Sequence, residues 1–227
     1  MEDNRPIFEM RGVRLLNVPN ARDLAVECIE NDCYRIRELE GQWNVIDVGA
    51  CYGEFGLYAA SLGHNAILAE PSRNSLAITR FNATINHPFR SRVKTYHCAV
   101  AGSENPQCNH FYRKSHPAGS GPNCEDGEME KVVTRSILGL ADGDLDKSLK
   151  TMLKLDCEGA EVEIFNHINK WIHLADAVSM ETHNHDAGKL GAMLSERGFK
   201  VELFGTCPFP FPKWDESMAG GLVIARR

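Results

Sequence analysis

The sequence predicts an α/β fold of three layers, with helices covering both faces of a mostly parallel sheet. Two observations predict it. Short apolar runs typical of buried strands alternate along the chain with segments of helical periodicity. Alternating strands and helices are joined by right-handed crossovers, which place the strands parallel in one sheet. Folds of this kind bind ligands at the carboxyl ends of their strands.

Each element is predicted from apolar spacing and from the residues that end it. Segment 44–48 is an apolar run closed by Gly49, Ser72 can cap a helix, and Gly63 and Gly198 end helices. The predicted helices are 21–39 with a break at Asn31 and Asp32, then 53–62, 72–86, 160–168 and 188–197. The predicted strands are 44–48, 66–69, 93–100, 130–137, 152–156, 176–180, 200–204 and 221–225, with a helix or turn at 142–149.

Length and composition fit one large domain. The chain has 227 residues, of which 43% are hydrophobic and 25% charged. At roughly 150 residues per domain, one large α/β domain is an ordinary outcome. We expect residues 1–40 to form a strand and helix lead-in, and residues 41–227 to form the main domain. A hairpin or flap is expected as an insertion around residues 103–136, which are rich in Gly, Pro and Ser.

Charge and hydropathy disfavour some classes of partner. The formal net charge is −6, which argues against nucleic acid as a partner, although a modest basic segment runs from Arg73 to Lys94. No apolar run approaches the roughly 20 residues of a membrane span, and residues 1–6 lack the features of a secretory signal. We therefore expect a cytoplasmic protein that does not enter a membrane. Oligomeric state is left open.

The cysteine and histidine pattern gives little sign of a metal site. None of the eight cysteines forms a C-x-x-C pair, and we interpret most of them as buried apolar residues. One group, Cys108, His110, His116 and Cys124, has side chains that can bind metals. Zinc ligands are usually paired at both ends of a site, whereas here only the first two are close, so we favour a flap without zinc.

The turn after the first strand of the domain has the pattern of an adenosyl-ligand site. The chain reads Asp47-x-Gly49-x-x-x-Gly53, and the next strand ends at Glu70. Glycines let the backbone approach a ligand, and a carboxylate at the second strand can accept both ribose hydroxyls. An acid beside the turn suits an amine and would repel a pyrophosphate. The pattern therefore favours S-adenosylmethionine over NAD(P).

Three blocks of sequence resemble the FkbM family of S-adenosylmethionine-dependent methyltransferases. The blocks are Ile46 to Phe55, Ala69 to Ser72 with Asn82 and Asn86, and Leu153-Lys154-Leu155-Asp156-Cys157-Glu158-Gly159-Ala160-Glu161, with a weaker fourth at Met180 to His183. Together they span residues 34–183. Cys51-Tyr52 departs from the family, in which an Asn and a small or aliphatic residue are commoner. The resemblance implies a Rossmann-like class I methyltransferase sheet with an antiparallel late strand.

The resemblance also implies roles for individual residues. The cofactor would be S-adenosyl-L-methionine, and the residues that bind it would be Asp47, Gly49, Ala50, Tyr52, Gly53, Glu70, Pro71, Cys98, Ala99 and Val100. Asp47, Gly49 and Gly53 would line the methionine end of the cofactor. Glu70 would hold the ribose, and residues 98–100, at the end of the third strand, would lie near the adenine. Asp156 would face the methyl group from the end of the fourth strand.

The fourth and fifth strands carry the candidate catalytic residues, Asp156, Lys154, Glu158, Glu181 and His183. Methyl transfer requires alignment of the acceptor and removal of its proton, and we assign the second task to Asp156. Lys154 shares its face and would hold the carboxylate charged or bind the acceptor. The alternative for Lys154 is a structural ion pair with Glu158 or Glu161.

Other interpretations of the site stay open. Asp156, Glu181 and His183 could bind a divalent metal, but we favour acid/base chemistry because this ligand set is thin. Tyr34 and Trp214 could also face the pocket, but for both we favour core packing or a rigid turn. The acceptor is expected to be a hydroxyl of a small molecule or saccharide. The alternatives are an NAD(P)-dependent oxidoreductase, a methyltransferase acting on nucleic acid, and a binding module without catalysis.

Overall fold

The computed structural model describes residues 6–102, 108–113, 128–183, 186–205, 213 and 220–227. Its strands are β1 (Ile7–Met10), β2 (Val13–Leu16), β3 (Trp43–Val48), β4 (Asn65–Glu70), β5 (Val93–His97), β6 (Ala99–Val100), β7 (Cys108–Arg113), β8 (Glu128–Arg135), β9 (Lys150–Leu155), β10 (Ala177–His183), β11 (Lys200–Phe204) and β12 (Gly220–Arg226). Its α-helices are α1 (Ala21–Ala25), α2 (Glu54–Ser61), α3 (Arg73–Ile85), α4 (Ile137–Ala141), α5 (Glu161–Asn166), α6 (Ile168–Trp171) and α7 (Ala187–Ser195).

Seven strands form the central sheet, in the order β11-β12-β10-β9-β3-β4-β5. β12 is antiparallel to both of its neighbours, and the other pairings are parallel. The predicted fold class, a mostly parallel sheet with an antiparallel late strand, is confirmed. β3 and β9 are adjacent, with Asp47 beside Lys154 and Val48 beside Leu155. Their carboxyl ends therefore meet at one edge of the sheet.

The core consists of two hydrophobic clusters, one on each face of the sheet. Neighbouring residues of a strand point to opposite faces, so Val45 and Met152 belong to one cluster, and Ile46 and Leu153 to the other. The first cluster is completed by β1, β2, α1 and α2, and the second by α4 to α7. The N-terminal residues therefore share a core with the sheet.

Asn82 of α3 and Asn86, the residue that follows this helix, bind β1 and β2 to this core. The Asn82 side chain accepts a hydrogen bond from the amide of Leu16 at 2.8 Å, and Asn86 accepts one from the amide of Arg14 at 2.9 Å. Asn82 also donates to the carbonyl of Tyr52 at 2.9 Å. These two residues, which belong to the second sequence block, thus join β2, α3 and the turn after β3.

Several predicted elements need correction. The predicted strand 93–100 is wrong in its second part: β5 ends at His97, and β6 leaves the sheet to pair with β8. The apolar pattern continues through this change of partner and does not reveal it. The predicted helix 160–168 is divided at His167 into α5 and α6.

The predicted helix 21–39 is also divided. A π-helix, Val26–Glu30, continues α1, and a 3₁₀-helix, Ile36–Glu38, follows later. Between them Asp32 and Arg35 have positive φ angles of 51° and 55°. The Asp32 carboxylate accepts hydrogen bonds from the amides of Ile36 and Arg37, which stabilises the interruption near the predicted break.

β7 and β8 form an antiparallel pair within the segment predicted as a hairpin insertion. The side chains of Cys108, His110, His116 and Cys124, as well as Trp214, lie outside the described part of the structure. In the described ranges, no helix is both long enough and apolar enough to cross a membrane.

Candidate functional site

The turn after β3 is packed between the ends of β4 and β9. Gly49, Cys51 and Gly53 have positive φ angles of 76°, 49° and 87°. The amides of Gly49 and Ala50 both donate to the carbonyl oxygen of Ala69, at 3.1 and 3.2 Å. A Cβ atom on Gly49 would lie 1.8 Å from the backbone oxygen of Asp156. Only glycine fits at this position, because both the conformation and the contact exclude a side chain.

Asp47 and Lys154 form a buried ion pair beneath this turn. Lys154 Nζ lies 3.1 Å from Asp47 Oδ1 and donates to the carbonyl oxygen of Gly49 at 2.9 Å. Asp47 Oδ2 accepts a hydrogen bond from the amide of Gly56 at 3.1 Å. Asp47 is fully buried, so it supports the turn from within. Lys154 thus forms a structural ion pair, as the alternative expected, but its partners are Asp47 and Asp156 and not Glu158 or Glu161.

Burial and charge act in opposite directions on this pair. Burial raises the pKa of Asp47, and Lys154 partly offsets this effect. Burial alone would lower the pKa of Lys154, but the charges of Asp47 and Asp156 raise it well above the usual value. The lysine therefore keeps its positive charge at neutral pH.

Glu70 closes the other side of the turn. Its Oε2 accepts a hydrogen bond from the amide of Cys51 at 2.9 Å, and its Oε1 accepts one from the amide of Ser72 at 2.7 Å. Burial raises the pKa of Glu70 to about 7, and these amides lower it in part. Each carboxylate oxygen has a second lone pair, so the group can still accept two hydrogen bonds from a ligand.

Glu54 is a third buried carboxyl at the turn, and sequence reasoning missed it. It is the first residue of α2 and is 2% exposed. Burial raises its pKa to about 8, with a further contribution from Asp47. A single acidic residue at the start of a helix is common, so no pattern in the sequence indicated this burial.

The remaining predicted cofactor residues lie close to these groups or to the core. Ala50 and Tyr52 are buried in the turn and pack in the first cluster. The carbonyl oxygen of Pro71 lies 2.9 Å from His97 Nε2. Cys98 and Val100 are buried in the second cluster, whereas Ala99 between them is partly exposed.

Asp156 lies directly after β9 and is part of the surface at this edge of the sheet. Its Oδ2 accepts a hydrogen bond from the Tyr34 hydroxyl at 3.0 Å and lies 3.7 Å from Lys154 Nζ. The Asp156 side chain is 29% exposed, against 4% for Lys154. Lys154 and Asp156 share a face as predicted, but only the carboxylate is accessible to a substrate.

Two glutamates face Asp156 from neighbouring elements. Glu181, on β10, has its pKa raised to about 8 by burial and by the charge of Asp156. Glu27, in the π-helix, has its pKa raised by burial and again by Asp156. Sequence reasoning missed Glu27, because nothing local connects the N-terminal helix with the end of β9.

His183 is held between two further glutamates. Its Nδ1 lies 3.5 Å from Glu161 Oε1, and its Nε2 lies 3.5 Å from Glu158 Oε2. The contact with Glu161 raises the pKa of His183 to about 9, so the imidazole is positively charged at neutral pH. Glu161 also accepts hydrogen bonds from the amides of Cys157 and Gly159, at 2.8 and 2.9 Å, and so shapes the loop after β9.

Across the residues that the structure describes, no three His, Cys, Asp or Glu side chains are arranged to hold a metal ion. Asp156, Glu181 and His183 therefore bring two acids close to one imidazole, and the pKa values of Glu181 and His183 are both raised.

Comparison with known proteins establishes the fold. No protein-family model matches the sequence, and no curated protein is similar enough to match. The FkbM methyltransferase of Methylobacillus flagellatus KT superposes with a TM-score of 0.55 at 17% identity. The aligned region covers 83% of this chain and 45% of that protein, so this chain spans less than half the length of that relative.

Two other solved structures have comparable similarity. The human methyltransferase 10 domain containing protein has a TM-score of 0.50 at 14% identity, covering 92% of this chain and 82% of that chain. Magnesium protoporphyrin IX methyltransferase from Synechocystis PCC 6803, solved with bound SAM, has a TM-score of 0.50 at 12% identity, covering 91% and 79%. At such identities the similarity concerns the fold, and this chain has the Rossmann-like fold of class I methyltransferases.

Proposed function

We propose that this protein is an S-adenosylmethionine-dependent methyltransferase of the FkbM type, which methylates a hydroxyl of a small molecule or saccharide. The observation that carries the proposal is the turn of Gly49 to Gly53 packed against Glu70, at the carboxyl edge of the sheet. Fold similarity to methyltransferases supports it. In this proposal the turn meets the methionine end of the cofactor, Glu70 accepts the ribose hydroxyls, and Pro71 and residues 98–100 lie near the adenine.

The charges around the turn favour this cofactor over a dinucleotide. Asp47, Glu54 and Glu70 are three buried carboxyls beside the glycines, and Lys154 is the cation paired with Asp47. A pyrophosphate placed there would face Asp47 and the ionised form of Glu70, whereas a sulfonium and an ammonium group would be attracted to them. An NAD(P)-dependent oxidoreductase is the less favoured alternative for this reason.

The residues at the ends of β9 and β10 would handle the acceptor. The bound cofactor would supply an electrophilic methyl group. Asp156 would hold the acceptor hydroxyl and take its proton. Of the two carboxylates paired with Lys154, only that of Asp156 is accessible. Glu181, with a pKa of about 8, would carry a proton at neutral pH and donate a hydrogen bond to the acceptor. His183 would counter part of the negative charge.

Electrostatics at this edge also bear on the class of acceptor. Besides the protonated Glu181, this region holds three other acids, Asp156, Glu27 and Glu158, with His183 as the neighbouring cation. Their combined negative potential would repel phosphate groups. An uncharged hydroxyl compound such as a glycoside is therefore favoured over nucleic acid.

The experiment is methyl transfer from S-adenosylmethionine with a labelled methyl group. Glycosides and hydroxylated small molecules are the main acceptors tested. RNA and a nicotinamide cofactor are tested in separate reactions, and the products are analysed by mass spectrometry. We expect one labelled methyl on a hydroxyl. Asp156→Ala should lower the rate by about 100-fold or more, as for loss of a general base. Asp142→Ala, at an exposed position, is the matched control.

Labelling of RNA alone would contradict the proposed acceptor class while leaving the methyltransferase proposal in place. Oxidation of the nicotinamide cofactor with no methyl transfer to any acceptor would contradict the whole proposal.

A further inference from the structure

Tyr34 lies in the segment between the π-helix and β3, at the carboxyl edge of the sheet. It is 1% exposed. Its carbonyl oxygen accepts a hydrogen bond from Ser179 Oγ on β10 at 3.0 Å. Its ring meets the ring of Phe55 on α2 edge to face, with 5.3 Å between the ring centres. Backbone and ring are thus held independently by two elements of the domain.

The hydroxyl of this fixed ring is directed at Asp156. It donates to Asp156 Oδ2 at 3.0 Å, and Lys154 Nζ lies 3.7 Å from the same oxygen. Lys154 Nζ is also 5.3 Å from the centre of the Tyr34 ring. Among the described residues, both partners of the carboxylate use Oδ2, so Oδ1 is left for another molecule.

We propose that Tyr34 is a positioning residue, which fixes the rotation of the Asp156 carboxylate so that Oδ1 faces the acceptor. This inference rests on the proposed function and adds a residue from the N-terminal segment to its machinery. A carboxylate at the end of a strand, 29% exposed, rotates freely unless hydrogen bonds fix one oxygen. Tyr34 supplies that bond from a buried ring, and Lys154 supplies a positive charge near the same oxygen.

The tyrosine is suited to act as a permanent donor. Burial, together with the charge of Asp156, raises the pKa of Tyr34 well above its usual value, so the hydroxyl keeps its proton. Its donor is therefore directed at the carboxylate over the whole pH range in which an enzyme works. A phenylalanine at this position would keep the contacts of the ring and lose only the hydrogen bond.

The test is a double-mutant cycle on the rate of methyl transfer. The variants are Tyr34→Phe, Asp156→Ala and the double variant, each measured for kcat, acceptor KM and S-adenosylhomocysteine affinity by calorimetry. Tyr58→Phe is the matched control, since this buried tyrosine of α2 has Arg37 and Asp32 as charged neighbours. We expect Tyr34→Phe to lower kcat by about 10-fold or more, as for loss of a hydrogen bond to a charged group, with cofactor affinity unchanged.

In the Asp156→Ala background, Tyr34→Phe should have no further effect on kcat, because the group that it positions is absent. An equal loss in both backgrounds would overturn the inference, since it would indicate a packing role. If Asp156→Ala retained full activity, or if the wild type bound no S-adenosylhomocysteine, the proposed function itself would fail and the inference with it.

Discussion

The two halves of the candidate site are built differently. The turn of Gly49 to Gly53, with Glu70, is sealed by backbone hydrogen bonds and is almost fully buried. The edge at Asp156 and His183 is made of half-exposed side chains, which come from distant parts of the chain. A site that is shaped mainly by main-chain atoms tolerates few substitutions and binds one type of ligand. A site that is lined by side chains can change its specificity through single substitutions.

The largest expected effect tests the rigidity of the turn. Gly49→Ala places a Cβ atom 1.8 Å from the backbone oxygen of Asp156. Neither strand end can move without breaking the sheet, so we expect a loss of more than about 4 kcal/mol in the free energy of unfolding. Chemical denaturation followed by circular dichroism measures it.

Gly143→Ala is the matched control. Gly143 has the same φ of 76°, but a Cβ atom there would meet nothing within 4 Å. This substitution should cost only the conformational strain, about 1–2 kcal/mol. Equal losses for the two variants would mean that the close approach of the turn to β9 is unimportant.

Lys154 connects the two halves, and its removal should have the next largest effect. Lys154→Met leaves Asp47 buried without its cation, which we expect to destabilise the protein by about 3–5 kcal/mol. The exposed Lys150→Met, on the same strand, should change stability by less than about 1 kcal/mol.

Adding Asp47→Asn to Lys154→Met should restore part of the lost stability, since it removes the unpaired charge. A double variant that is less stable than Lys154→Met alone would contradict this expectation, since the unpaired charge would then not be what destabilises the single variant.

The smallest expected effect is on the pH dependence of cofactor binding. Glu70 has a raised pKa of about 7, and the ionised form is the one that accepts two hydroxyls. As pH falls below 7, protonation should weaken S-adenosylhomocysteine binding by up to about tenfold per pH unit. In Glu70→Gln the binding should be weaker, and it should no longer weaken further as the pH falls below 7. If the pH dependence of binding were unchanged in Glu70→Gln, it would have to come from another group, such as Glu54.

The same contrast explains what the sequence could predict. The mostly parallel sheet, the glycine turn and the place of Glu70 at the end of the second strand follow from local patterns, because each depends on neighbouring residues. Core packing was favoured for Tyr34, and Glu27 was missed, since the hydrogen bond of the first and the electrostatic interaction of the second with Asp156 join segments more than a hundred residues apart. Asp156 was expected as a partner of Lys154, but Asp47 was not, because cross-strand register places it there and short motifs carry no register.

The central claim is that the turn and Glu70 form a site for S-adenosylmethionine. The most direct test is calorimetric titration of the folded protein with S-adenosylhomocysteine, with NADH in a parallel titration. We predict one-to-one binding of S-adenosylhomocysteine in the micromolar range, weakened at least tenfold by Glu70→Ala, with no heat from NADH. Binding of NADH without any response to S-adenosylhomocysteine would contradict the account.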